Sequence, residues 1–156
     1  MMAELSGITF ENAMFNPINI KDSDEVEHTF FFQSRLLGNF FIIEANEQLE
    51  DDKQGYKFAV LGKVDEDQFD LFKVLFERIK RALGQKHIEP CHLTKYRITD
   101  QDTVRGYITS DFEGATGSPS LIIDGKEVEW NEFGQMLSTY EGFNFKLEHF
   151  DKTEEQ

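Results

Sequence analysis

Only one cysteine, Cys91, occurs in the 156 residues, so no disulfide can close within the chain and a reducing, cytoplasmic setting is expected. Basic residues are in deficit. Sixteen Lys and Arg stand against 30 Asp and Glu, a net charge of -14 that repels a phosphate backbone or an anionic bilayer surface. Long apolar runs are also missing: Phe30–Phe32 and Phe40–Ile43 fall far short of the roughly 20 residues that span a bilayer. The N-terminal stretch MMAELSGITFENAMF lacks the basic flank and apolar core of a signal peptide. No internal repeat or low-complexity linker breaks the chain. Nucleic acid and membrane are therefore not expected as partners.

What is present is a core. The chain is 39% hydrophobic and 13% aromatic, with 16 Phe, well above the composition of a disordered segment. Its length suits one domain spanning residues 1–156, with 1–7 and 151–156 expected to fray. His28–Arg35 and Phe40–Ala45 are rich in strand formers and flank Gly38-Asn39, which suits a tight turn. Alternation along this hairpin places Phe30, Phe32 and Leu36 with Phe41, Ile43 and Ala45 on the core face. The other face carries Phe31, Leu37, Phe40 and Ile42 among polar residues, a candidate interface that residues 8–20 or another chain would cover.

A third strand is expected over Tyr56–Gly62, after which the apolar period lengthens to that of a helix. Phe69, Phe72, Leu75, Phe76, Ile79 and Leu83 form one stripe, giving a helix over 66–83 capped by Asp65 with Gln68 and closed by Gly84. Short strands are expected over 93–98 and 104–112. A second hairpin, 120–123 with 126–128, turns on Asp124-Gly125, the pair suited to two positive φ angles. A second helix follows over 130–140, and Phe143–Glu148 alternates as a final strand with Phe143, Phe145 and Leu147 inward. The expected architecture is α+β: an antiparallel sheet of about six strands with both helices packed on one face.

The blocks LLGNFFIIEA, GYKFAVLG, FERIKRALGQKHIE, VRGYI and SLIIDGKEVEWNEFGQMLSTYEGFNFKLE resemble those of a family of uncharacterised bacterial proteins. The most specific part runs from Asp124-Gly125-Lys126 through Trp130, Gly134, Met136-Leu137 and Tyr140-Glu141-Gly142-Phe143 to Lys146-Leu147-Glu148. The resemblance implies turns, caps and core at these positions, and no activity. Where family members carry Ser or Thr before the Trp, this chain has Glu129, a weaker helix cap.

Motifs that carry chemistry are sparse. His87, Cys91 and His92 are the candidate metal ligands, but a structural zinc site needs four ligands and no second half is present. Glu50-Asp51-Asp52, Asp65-Glu66-Asp67 and Asp100-Gln101-Asp102 lack the spacing of a calcium loop. No nucleophile elbow or catalytic cysteine signature occurs, and Cys91-His92 are sequence neighbours, which point apart in an extended chain. Paired-carboxylate hydrolysis would require Asp111 with Glu113, or Glu141 with Glu148, to face each other. The stretch 113–118 lacks the Lys and the helix of a phosphate loop. No cofactor is expected.

Three functional expectations follow. The favoured one is a non-enzymatic binding or regulatory domain acting through protein contacts, possible as a homodimer through the outer hairpin face. The alternative is a small hydrolase using His28, His87, His92 or His149 with nearby carboxylates. The third is an acidic mimic of nucleic acid.

Overall fold

The computed structural model describes residues 4–5, 8–9, 16–50, 53–110 and 117–154. Strands β1 (Glu4–Leu5), β2 (Ile8–Thr9), β3 (Ile18–Lys21), β4 (Glu27–Leu37), β5 (Phe40–Glu47) and β6 (Lys57–Lys63) precede helix α1 (Gln68–Leu83). Then come β7 (Ile88–Pro90), β8 (Tyr96–Ile98), β9 (Gly106–Ser110), β10 (Pro119–Ile123), β11 (Lys126–Glu129) and helix α2 (Trp130–Leu137), which tightens into a 3-10 turn at Ser138–Tyr140. The fold is α+β, as the sequence predicts, and every ladder is antiparallel.

The single sheet of about six strands is corrected. Strands sort into a four-stranded sheet β3-β4-β5-β6, a three-stranded sheet β11-β10-β9 and the two-stranded pairs β7-β8 and β1-β2. The helices are also not on one face: α1 packs on β5 and β6, whereas α2 packs on β8, β10 and β11. The reason lies in the apolar residues, which form two cores rather than one. Phe30, Phe32, Ile43, Val60, Phe72, Leu75 and Ile79 close the first, and Ile88, Ile123, Val128 and Met136 close the second.

In the first half, Leu37 pairs with Phe40 around Gly38-Asn39, and Gly38 takes the positive φ of 62° that the turn requires. This register buries Phe30, Phe32, Phe41, Ile43 and Ala45 against α1, while Leu36, expected beside them, is exposed near the hairpin tip. β3 is an edge strand whose Ile18 joins the same core, so residues 18–21 lie beside the hairpin and not over its outer face. Residues 10–15, the rest of the expected cover, lie outside the described residues.

The cap of α1 is Asp67, not Asp65: its carboxylate accepts the Phe69 N–H at 2.8 Å. Gly84 closes the helix, with its N–H on the Lys80 and Arg81 carbonyls. The buried stripe adds Leu71 to the expected residues and leaves Phe69 only half-buried, in the first turn.

In the second half, Asp124 and Gly125 both adopt positive φ, 53° and 75°, the geometry expected of this hairpin. Glu129 caps α2 despite its low cap preference, because the Glu129 N–H donates to the Glu132 carboxylate at 3.0 Å. The helix therefore starts at Trp130.

The expected last strand is also corrected. Phe143, Phe145 and Leu147 point outward, 69%, 90% and 79% exposed, and residues 143–150 belong to no strand. Alternation makes a segment fit to be a strand, but a strand needs an edge to bond to, and no edge among the described residues of this chain pairs with it. Beyond it the chain returns to the first half. Lys152 meets Glu44 on β5 at 3.0 Å, and Arg78 of α1 donates to the Thr153 carbonyl at 2.8 Å. Among the described residues no helix is long and apolar enough to cross a membrane.

Candidate functional site

Titratable side chains concentrate where the two halves meet. His28 lies two residues before Phe30 and therefore shares its face, and Glu47 pairs with Phe30 across the β4–β5 ladder. The strand register thus sets His28 and Glu47 side by side at one end of the first core, with His28 Nδ1 to Glu47 Oε2 at 2.6 Å. The turn before β4 supplies the second carboxylate. Asp22 Oδ1 accepts the Asp24 and Val26 N–H groups at 2.8 and 3.1 Å, which turns Oδ2 toward His28 Nε2 at 2.8 Å and Lys86 Nζ at 3.0 Å.

His28 therefore meets a carboxylate oxygen at each ring nitrogen. Both ring nitrogens are thereby engaged within the protein. Burial by itself would raise the Asp22 carboxyl, but the bonds from His28, Lys86, Val26 and Asp24 outweigh it and hold the group far below the usual carboxylate range. Glu47 spends its other oxygen on the Tyr56 N–H at 3.0 Å.

A second buried pair lies in the other half. The Asp124 carboxylate accepts the His87 and Ile88 N–H groups at 2.7 and 2.9 Å, and its other oxygen faces His87 Nδ1 at 3.0 Å. Burial again acts upward, yet the His87 ring and the two amides together keep the carboxyl below its ordinary value. These bonds tie the β10–β11 turn to the start of β7.

Tyr56 sits between the two clusters. Its ring stacks on Phe58 at 5.7 Å and meets His28 edge-on at 5.5 Å. A side chain at Gly125 would begin 2.6 Å from that ring, so the turn of the second half abuts Tyr56 of the first. The Tyr56 hydroxyl is buried with no hydrogen-bond partner among the described residues. Burial, then the charges of Asp124, Glu47 and Asp22, push the phenol well above its usual value.

The site residues expected from sequence fall apart in space or are otherwise engaged. His87 faces Asp124, Cys91 is half-buried and His92 is exposed; among the described residues no three His, Cys, Asp or Glu side chains are grouped to hold a metal ion. The Cys91 thiol is held below its usual value by bonds from Thr94 and Leu93. His149, Glu141 and Glu148 are all exposed. Asp51, Asp52, Asp111 and Glu113 lie outside the described residues, as does most of the 113–118 loop.

On the outer hairpin face Phe31, Leu37 and Phe40 are each close to half exposed, but Ile42 is only 3% exposed. The accessible part of that face is completed by Leu61, which pairs with Ile42.

Sequence reasoning missed Asp22, Glu47 and Lys86 altogether, and saw Tyr56 only as a strand residue and Asp124 only as a turn residue. The Asp22-x-Asp24-x-Val26 spacing carries the signal of a side-chain-capped turn. No spacing rule connects Asp124 to His87, 37 positions away.

Two helix-backed sheet units, each holding a buried His–carboxylate pair and linked to each other by Lys86 on Asp22 and by Tyr56 against the Gly125 turn, define an α+β protein of unknown function. Residues 11–84 match the family described as Domain of unknown function (DUF7686), and residues 87–154 match a second, Domain of unknown function (DUF7713), so two families of unknown function cover the chain. No curated protein and no solved structure matches it.

Proposed function

We propose that this chain is a non-enzymatic binding domain that works through protein contacts in the cytoplasm. One observation carries the reading. Phe143, Phe145 and Leu147 present an alternating apolar edge to solvent, while their backbone has no strand partner among the described residues. Such an edge is the form in which one chain adds a strand to another. The exposed parts of Phe31, Leu37, Phe40 and Leu61 supply further apolar surface.

The titratable groups support the same reading. A general base needs a ring nitrogen open to substrate, and both nitrogens of His28 are bonded to carboxylates. The junction then acts as a fixed scaffold that holds the two halves in register.

Placing a photo-crosslinking phenylalanine at position 145 or 40, and irradiating cells that make the full chain natively, tests the proposal. Adducts to protein are expected from both positions and none from the exposed polar position Glu77. Absence of any protein adduct from 145 and 40 sinks the contact reading.

A further inference from the structure

The outer face of the first sheet is open on one side and covered on the other. Ile43 and Val60 pair in the core, so their neighbours Ile42, Glu44, Ala59 and Leu61 point outward. Leu61 is 43% exposed there, yet Ala59, two residues back on the same outer strand, is only 2% exposed. The chain's own C-terminal end lies beside it. One nitrogen of Arg78 donates to both the Ala59 carbonyl, at 2.9 Å, and the Thr153 carbonyl, at 2.8 Å, which brings the tail to the β6 edge. Lys152 reaches Glu44, the residue paired with Ala59, at 3.0 Å.

The strap that makes these contacts keeps its own shape. The Glu154 N–H donates to the Asp151 carbonyl at 2.9 Å, and the Asp151 carboxylate accepts the Thr153 N–H and hydroxyl at 2.9 and 2.7 Å. It is tethered loosely, because residues 141–149 are exposed and belong to no strand or helix.

Resting on the reading of this face as a contact surface, we propose that residues 151–154 are an autoinhibitory cover, a strap that occupies the Ala59–Glu44 part of the face and leaves it when a partner segment enters. Its hold is of the kind that opens. None of residues 151–154 belongs to either core, and the Lys152–Glu44 pair is 41% and 18% exposed, so water and salt compete for it. Segments held by exposed polar contacts open while the cores stay closed.

The strap also defines what replaces it. An incoming segment must bring a cation to Glu44 and a backbone carbonyl to Arg78, so the partner is a protein segment with a basic side chain, which the net charge of -14 also attracts. The tether keeps the strap at high effective concentration, so a segment with less than this chemistry does not displace it.

The test uses the full chain, with a photo-crosslinking phenylalanine in place of Leu61 and a synthetic peptide of residues 148–154 as the probe. Lys152→Glu sets a carboxylate against Glu44 and drives the strap off. That chain is expected to give several-fold more peptide adduct than the chain with Lys152 intact, and a peptide carrying the same Lys152→Glu change is expected to give none. Exchange of the Ala59 amide should quicken with Lys152→Glu and slow again when the pair is reversed by Glu44→Lys with Lys152→Glu, with the far-UV spectrum and melting temperature unchanged throughout.

Equal adduct yields from the two chains, or an Ala59 amide indifferent to both changes, overturns the cover. If that happens while position 40 labels protein in cells, the contact reading stands without it. If position 40 labels no protein in cells although Lys152→Glu opens the face to the peptide, the strap is a structural tie and the regulatory role falls with the contact reading.

Discussion

Asp124 does three things with one side chain. It takes the positive φ of a tight turn, accepts two backbone N–H groups and orients a buried histidine. Asp124→Ala strands both amides and strains the turn, and should cost about 3 kcal/mol in urea unfolding. Asp124→Asn keeps an acceptor and the turn conformation and should cost clearly less. Asp22 and Asp124 are both held below the ordinary carboxyl value of 3.8, so the unfolded chain takes up protons first as pH falls. Their contribution is complete above about pH 4 and is lost progressively below it, and Asp22→Asn should flatten that acid limb. Tyr56 has the opposite sign. Its raised phenol favours the folded state below pH 10.0, and that advantage fades as the unfolded tyrosine ionises above it. Tyr56→Phe, which removes a hydroxyl without a partner, should abolish the alkaline slope and leave neutral-pH stability unchanged or slightly higher. At this scale the sequence showed residue types and local turns, including the Asp124-Gly125 geometry. It did not show the pairs, because His28 with Glu47 and His87 with Asp124 are made by strand register and packing across 19 and 37 positions.

Elements were legible where a period and its end signals agreed. The apolar stripe of α1, its closing Gly84, the Gly38-Asn39 turn and the Asp124-Gly125 turn follow from side-chain spacing and positive φ alone. The N-terminal cap was misplaced by two residues, since Asp65, Glu66 and Asp67 are chemically alike and only packing decides which one starts the helix. Asp67→Ala should therefore lower stability by about 1 kcal/mol and Asp65→Ala by much less, measured by thermal melting. Residues 143–148 teach the converse. Their alternation reads as a strand, but a strand needs an edge to bond to, and none among the described residues pairs with this segment.

The whole molecule holds two cores, yet the family boundary between residues 84 and 87 is crossed by side chains in both directions. Lys86 reaches back to Asp22, Thr109 Oγ1 donates to Gln54 at 3.0 Å, and Lys57 lies over the Tyr107 ring at 5.3 Å. We expect these links to make the chain unfold as one domain. Trp130, the one tryptophan, reports the second half, so its fluorescence transition in urea should coincide with the far-UV transition dominated by both halves. Two separated transitions would show independent domains. The number of sheets was not readable because each half supplies enough apolar residues for its own core, and composition does not say how strands partition.

The return of the chain at Lys152 and Thr153 gives this layout one further consequence. The second half is anchored to the first at both of its ends, once through the peptide at 84–87 and once through the strap at 151–154. Each anchor keeps the other's partners at high effective concentration. A single backbone cut between Gly84 and Lys86 should therefore leave two fragments that stay associated and can be recombined from separate halves, whereas a cut that also removes residues 151–154 should let them part.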